Sequence, residues 1–502
     1  MRRRVIQIHP RDNVAVAVLP LAAGETIEGA GRAVIVKESI TVGHKIALRP
    51  LVRGGEVIKY GRRIGFASLP VEEGAWVHTH NLKTALRKKQ IYPYQPAAKK
   101  AGAAPPPPGA VPAFRGYRRS GGRAGTRNEI WIIPSVGCVN QTAVRLAALA
   151  NERFKGGDFD GVFAFPHPLG CSQLGGDLDN TRRILSALMR HPNAGGVLAL
   201  GLGCETLQLD VLTGDTAGLD TARVRAFGAQ AAPDELETGL RAIGELFEIM
   251  SRDRRVDVPA SELVLGVKCG GSDAFSGISA NPVVGRVADW ATSVNATVLL
   301  SEVPEMFGAE QALMNRARNK KVFDQVVRLI NGFKQYYAGH GQPVHENPSP
   351  GNKAGGITTL EEKALGAVEK GGGAAVTQVL EYGERASERG LVLLDAPGND
   401  IVSSTALAAS GATLLLFTTG RGTPLGGPVP TLKISSTTDL ARRKPQWIDF
   451  DAGELVSAGR QAEEIAGDLV RLVIEVASGT KKTKSEILGN REFAIWKNGV
   501  TL

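Results

Sequence analysis

Gly196-Val-Leu-Ala-Leu-Gly-Leu-Gly-Cys204 and Leu263-Val-Leu-Gly-Val-Lys-Cys-Gly-Gly271 decide the fold class. Each is a continuous apolar run of strand length that ends in glycines, as a strand buried on both faces reads when a tight turn follows it. The pattern recurs on either side. Ile130-Trp-Ile-Ile-Pro-Ser-Val136 runs into Gly137-Cys138, and Gly161-Val-Phe-Ala-Phe165 runs toward Gly170-Cys171. Leu391-Val-Leu-Leu394 leads to Ala396-Pro-Gly398, and Thr413-Leu-Leu-Leu-Phe417 to Gly420-Arg421-Gly422. Helical periodicity fills much of the space between, as in 235–252 and 322–337. Strands alternating with helices predict an α/β architecture of buried parallel sheets, here as two units, 114–257 and 258–502.

Upstream the pattern changes. Residues 1–92 hold short β-rich segments (Val14–Val18, Ala33–Val36, Lys45–Leu48, Val57–Tyr60, Trp76–His78) punctuated by glycines, which predicts a small β-barrel or β-clip domain. Between it and the α/β units, 93–113 carries four consecutive prolines among alanines, the composition of a semi-rigid extended linker.

Composition narrows the function. Of 502 residues 43% are hydrophobic and 22% charged, ordinary for a globular protein, and no apolar run is long enough to span a bilayer. The basic opening Met1-Arg-Arg-Arg lacks the apolar core of a secretory signal, so a cytoplasmic place is expected, with no membrane partner. The net charge is +10, but the cations are dispersed and aromatics make up only 5%. A field that gathers small carboxylates accounts for this better than nucleic-acid binding does. No Gly-x-x-x-x-Gly-Lys-Ser/Thr is present, and Gly29-Ala-Gly31 does not open a helix, which argues against nucleotide chemistry.

Ligands in open α/β sheets sit beyond the carboxyl ends of the strands. All four cysteines (Cys138, Cys171, Cys204, Cys269) fall there, with no Cys-x-x-Cys pair among them. They read either as thiolate ligands converging on one metal or as small buried hydrophobes at turns. His78-Thr-His80 offers two imidazoles on one strand face, and His44 and Tyr60 are further polar candidates nearby. Three glycine-rich segments carry a cation: Gly125-Thr-Arg-Asn-Glu129, Gly351-Asn-Lys-Ala-Gly-Gly356 and Thr418-Thr-Gly-Arg-Gly-Thr-Pro424. Glycines let backbone N–H groups approach an anion, and the Arg or Lys adds charge. Glu205, Asp273, Glu302 and Glu305 are acidic candidates for ligating metal or moving protons, or equally for capping helices.

Several of these strings, taken in order, carry a resemblance. Asp12-Asn-Val-Ala15, Gly43-His-Lys45, Lys59-Tyr-Gly61, Gly125-Thr-Arg-Asn128, Gly201-Leu-Gly-Cys-Glu205, the nonapeptide Cys269 to Gly277, Ala280-Asn-Pro282, Asn347 to Lys353 and Phe417 to Pro424 resemble the altronate/galactarate dehydratase family over nearly the whole chain. His78-Thr-His-Asn81, Pro134 to Asn140, His191 to Gly195, Glu302 to Gln311, Trp447 to Asp451 and the terminal Gly499-Val-Thr-Leu502 tilt it toward the altronate branch.

The resemblance implies an SAF-type β-clip at the N-terminus and a hydro-lyase that removes water from a sugar acid. The implied reaction takes D-altronate to 2-dehydro-3-deoxy-D-gluconate in hexuronate breakdown; galactarate is the alternative substrate, and a sulfo-lyase of split architecture a more distant one. It also implies iron, with manganese as a substitute, and leaves Fe²⁺ and a [4Fe-4S] cluster both open. On that reading Cys138, Cys204 and Cys269, with Cys171 or His167, hold the metal. Arg127, Asn128, Asn352, Lys353 and Arg421 bind substrate. His44, Tyr60, His80 and Lys353 are the candidate acids and bases, brought over the crevice when a lid-like small domain closes. A homodimer is the assembly to look for.

Overall fold

The computed structural model describes residues 4–29, 31–86, 91–96, 111–214 and 217–501. Most of the Pro-rich linker, 97–110, lies outside them. The small domain is built from antiparallel pieces: a four-stranded sheet (Val5–Ile6, Val14–Ala17, Lys45–Ala47, Trp76–Val77), a hairpin (Thr26–Gly29 with Arg32–Ile35) and a three-stranded sheet (Glu56–Lys59, Arg62–Ala67, Leu82–Lys83). One turn places a candidate residue. Lys59 pairs with Arg62, so Tyr60-Gly61 is a two-residue hairpin loop, and both residues have positive φ, 59° and 67°. Such loops match the twist of the strands and favour glycine. Tyrosine at the first position is a strained choice of the kind found at functional sites. Glycine is required at the second, where a Cβ would stand 2.7 Å from the His9 ring.

Both α/β units have parallel sheets. The first has four strands in the order Gly161–Ala164, Glu129–Pro134, Ala194–Gly201, Val224–Gly228, with Asn140–Arg153, Gly175–Met189 and Glu235–Met250 among its helices. The second has seven, in the order Val376–Leu380, Gly390–Leu394, Thr297–Leu300, Val264–Cys269, Leu414–Thr419, Thr431–Ser435, Phe450–Asp451. The strand order reverses beside Glu129–Pro134 in the first sheet and beside Val264–Cys269 in the second. The crevices for ligands therefore open between the ends of Glu129–Pro134 and Ala194–Gly201, and between those of Val264–Cys269 and Leu414–Thr419. The 257/258 division falls inside strand Val256–Pro259, which pairs antiparallel with Ala113–Arg118 and straps the two units together.

The small domain does not hang free. Val14, Ala47, Leu51, Val57, Ile64 and Val77 belong to the same continuous apolar core as Leu265, Val267, Ala280 and Leu416 of the seven-stranded unit. The lid pictured from the sequence is thus already seated on its own chain's α/β body. Among the described residues no helix is long and apolar enough to cross a membrane.

Candidate active site

Where the small domain meets the seven-stranded sheet, charge is buried on both sides. Glu362 is inaccessible and its carboxylate accepts five bonds: from Lys59 Nζ at 2.7 Å, Lys45 Nζ at 2.9 and 3.1 Å, and the Thr358 amide and hydroxyl at 2.9 and 2.6 Å. Burial alone would raise its pKa, but the two ammonium groups outweigh that and hold it well below the usual carboxylate range. Burial pulls Lys45 down to about 8 against the attraction of Glu362. A buried pair of this kind is costly to break because the surviving charge has no solvent. It fixes the strands that carry His44 and Tyr60 onto the body.

Those strands deliver a cluster of rings. His44 lies 4.9 Å from His78 and 5.4 Å from Trp76, while Trp76 stacks on His78 at 5.2 Å and tilts against His80 at 4.9 Å. The Trp76 indole N–H donates to His44 Nδ1 at 3.1 Å. That assigns the proton of neutral His44 to Nε2, which faces the carbonyl of Ala354 at 3.3 Å. Burial pushes His44 below its ordinary pKa and His78 down to about 4. His78 Nδ1 is buried without a partner, whereas His80 is exposed.

Opposite stand the loops at the second crevice. The Gly420 and Arg421 amides donate to the carbonyl of Gly271 at 3.1 and 2.8 Å, which joins the two glycine-rich turns. Asn352 Nδ2 donates to the Ser272 carbonyl at 2.7 Å, and Gly43 packs on the Gly355 carbonyl, so the 350–356 segment bridges crevice and rings. The side chains of Lys353, on the short helix Pro350–Ala354, and of the exposed Arg421 have no hydrogen-bond or ion-pair partner among the described residues. Two cations without partners among the described residues, on the loops at one crevice, suit a carboxylate that carries hydroxyls. Tyr60 lies deeper, its hydroxyl against the backbone of Gly277 and Gly366, and burial raises its pKa.

Beneath the crevice lies a second buried network. The Cys269 thiol donates to Glu305 at 3.0 Å and accepts from Lys370 at 2.9 Å. Glu302 takes Lys268 at 2.8 Å and the Cys269 amide at 3.0 Å, and Lys363 pairs with Glu305 at 2.7 Å. Burial, reinforced by Glu302 and Glu305, pushes the Cys269 thiol up to about 12.

Several sequence expectations are corrected. Arg127 is not a substrate cation. It is buried in a bidentate pair with Glu486 (2.7 and 3.0 Å) and donates to the Val476 carbonyl, tying the two α/β units together. Asn128 is buried between Arg119 and the Asp158 carbonyl. Asn352 spends its amide on Ser272 and Lys363 and on capping its own helix, so it positions the loop rather than binding substrate. His167 has no nitrogen left for a metal: Nε2 meets the Pro134 carbonyl at 2.8 Å and Nδ1 accepts the Leu169 amide. The four cysteines do not form one set, since Cys138, Cys171 and Cys204 are exposed on the first unit and Cys269 is buried in the second.

The sequence reading did not single out the lysines Lys45, Lys59, Lys363 and Lys370, or Asp395. Asp395 follows strand Gly390–Leu394, has a buried Oδ1 without a partner, and is raised to about 6 by burial and by Glu381. Strand-end position was the available signal for Asp395. Nothing local marks the lysines, whose partners lie far off in the sequence.

Comparison with known proteins covers the whole chain. Residues 3–85 match the altronate/galactarate dehydratase SAF domain, 116–251 the second domain of D-galactarate dehydratase/altronate hydrolase, and 260–501 the D-galactarate/altronate dehydratase C-terminal domain. The chain is 47% identical over 498 residues to an altronate dehydratase of Bacillus subtilis and 46% identical over 498 to one of Escherichia coli, covering 99% of both chains in each case. It is 35% identical to a galactarate dehydratase (L-threo-forming) of Escherichia coli, over 96% of this chain and 94% of that one.

Proposed function

The chain belongs to the D-galactarate/altronate dehydratase family, and from that premise we propose that it is a hydro-lyase converting D-altronate to 2-dehydro-3-deoxy-D-gluconate and water in the cytoplasmic breakdown of hexuronates. The observation that carries the choice of substrate is end-to-end identity of 47% and 46% to altronate dehydratases against 35% to a galactarate dehydratase.

The reaction takes a proton from C2 and expels the hydroxyl of C3; the enol then tautomerises to the ketone. The C2 proton is weakly acidic beside a carboxylate, so charge must be stabilised as it leaves. Lys353 and Arg421 suit the carboxylate end of the substrate. Neutral His44 donates its Nε2–H to the Ala354 carbonyl and accepts the Trp76 indole N–H at Nδ1, so it positions the 350–356 segment that carries Lys353. His80, exposed and tilted against Trp76, is the imidazole we assign to proton transfer. The small domain, seated on the crevice by Glu362, keeps bulk water from the intermediate.

Iron belongs to this reading, with manganese as a substitute. The cluster Cys269, Glu302 and Glu305, whose ligand atoms lie within 4.8 Å of one another, does not fit it. Lys268, Lys363 and Lys370 already neutralise that trio, and a dication would have to displace buried ammonium groups. Cys138, Cys171 and Cys204, exposed at the carboxyl edge of the four-stranded sheet, carry no such lysine pairs among the described residues and are the thiols that would hold iron. Iron held by this chain would supply Lewis acidity.

The test is 2-keto-3-deoxy acid formation from D-altronate and D-galactarate by anaerobically purified protein, with Fe²⁺ added or withheld. Iron-dependent turnover that prefers altronate supports the reading. Galactarate turned over in preference moves the substrate, and turnover of neither rejects the activity.

A further inference from the structure

Asp273 stands where the two cation-bearing loops meet. A Cβ on Gly355 would lie 3.1 Å from its Cβ, and one on Gly420 would lie 2.2 Å from its carboxyl carbon and 2.7 Å from Oδ2. Gly420 thus leaves the room in which the carboxyl packs directly on the turn. Gly355 belongs to the segment that carries Lys353, and Gly420 precedes Arg421. The Ala274 amide donates to the Gly355 carbonyl at 2.9 Å and Asn352 Nδ2 to the Ser272 carbonyl at 2.7 Å, so the segment is fixed on both sides of Asp273.

The carboxyl is used unevenly. Oδ1 accepts four bonds: from the Phe275 and Ser276 amides at 3.1 and 2.9 Å, and from the Ser276 and Ser436 hydroxyls at 3.0 and 2.9 Å. Oδ2 accepts none among the described residues. Closing the local turn needs only Oδ1, a task asparagine performs as well. The second oxygen has no structural task, in a side chain that is nine-tenths buried. The buried carboxylates around it are each matched by lysine: Glu302 by Lys268, Glu305 by Lys363, Glu310 by Lys334 and Glu362 by Lys45 and Lys59. Asp273 has no ion pair among the described residues. Burial pushes its carboxyl above the ordinary value, against the bonds at Oδ1. A carboxyl held out of water without a counter-charge keeps its proton. Asp273 also lines a cavity of about 10 Å³, room for one water, with Tyr60, Asn281, Glu362 and Lys363. Glu362 and Lys363 are already paired there, and Lys59 lies 4.9 Å from the Tyr60 ring.

We propose that Asp273 is the general acid of the dehydration, giving its Oδ2 proton to the C3 hydroxyl as it leaves. The inference rests on the sugar-acid dehydratase reading above and adds a residue to it. The C2 proton passes to His80, the C2–H electron pair becomes the C2=C3 bond, and the C3–O pair leaves with oxygen. The Asp273 proton turns that oxygen into water and leaves a carboxylate. The enol becomes the ketone by losing its hydroxyl proton to solvent and gaining one at C3, and the proton on His80 returns through solvent to Asp273.

The test compares hydroxide with fluoride as the group leaving C3, because fluoride departs as an anion and needs no acid. Wild type and Asp273→Asn, iron-loaded and anaerobic, are given D-altronate or 3-deoxy-3-fluoro-D-altronate, and 2-keto-3-deoxy acid and fluoride are followed. Asparagine keeps an acceptor for the four donors at Oδ1 and has no carboxyl proton. Asp273→Asn should lose altronate dehydration by about 10²- to 10⁴-fold yet release fluoride within about tenfold of the wild-type rate, with circular dichroism unchanged. A second measurement needs no variant: wild-type kcat for altronate should fall as pH rises through the ionisation of the acid, and kcat for fluoride release should not fall with it. Altronate turnover by Asp273→Asn within about tenfold of wild type, equal losses on both substrates, or the same alkaline fall on both overturns the proposal and leaves the dehydratase reading standing. A wild type inert on both compounds overturns that reading, and the proposal with it.

Discussion

At the scale of single residues the site offers two cations without partners among the described residues and an imidazole whose proton is placed. The side chains of Lys353 and Arg421 hold nothing among the described residues, so removing either should cost binding and little stability. Lys353→Ala and Arg421→Ala are each expected to raise KM for D-altronate by about 10- to 100-fold, the worth of one charge-assisted contact, with the melting temperature nearly unchanged. Steady-state kinetics beside a thermal melt checks this. An unchanged KM in both variants would remove them from the site. Trp76→Phe keeps the ring contacts but deletes the N–H that fixes His44. It should shift the pH profile of kcat/KM while the fold, read by circular dichroism, stays as it was; an unaltered profile would mean that the tautomer of His44 has no bearing on turnover.

At the scale of elements, strands and turns set the protonation of what they bury. His191, stacked on Trp131 at 4.8 Å and bonded at both nitrogens, is pulled by burial to about 3, and His78 to about 4. Both are neutral in the fold, while in the unfolded chain they take protons near the ordinary value of 6.5. Between that value and the folded ones the unfolded state binds more protons, so stability falls as pH drops from about 6.5 toward 4. Melting temperatures over that range should decline, and His191→Gln should flatten the slope; a slope unchanged by the substitution would contradict the assignment.

The elements were the most legible part of the sequence, because buried parallel strands announce themselves as apolar runs ending in glycine, as at 196–204 and 263–271. What those turns carry was legible less evenly. The glycine-rich turns Thr418 to Pro424 and Gly125-Thr-Arg-Asn128 read alike locally, yet the Arg421 side chain is unpaired among the described residues and Arg127 is committed to Glu486, 359 residues away. Strand-end position found the cysteines, but sheet membership, a long-range property, separated Cys269 from the other three. The same holds for Glu362, whose lysine partners are 317 and 303 residues distant and invisible to any local pattern.

At the scale of the whole molecule, the small domain and the seven-stranded unit act as one body because they share an apolar core and a buried carboxylate. Glu362→Gln leaves two buried ammonium groups without a counter-charge. It should lower unfolding free energy by about 3 to 5 kcal/mol in denaturant titration and abolish turnover with it. A loss below about 1 kcal/mol would show that the pair is not what seats the domain. The arrangement seats His44 of the small domain on the 350–356 segment of the body, so a sugar acid bound there meets both domains. The most direct measurement follows D-altronate with iron-loaded, anaerobic protein in D₂O by nuclear magnetic resonance. The account predicts 2-dehydro-3-deoxy-D-gluconate carrying a solvent deuteron at C3, where the enol is reprotonated. Product with no deuterium at C3, or no product from folded and iron-loaded protein, would contradict it.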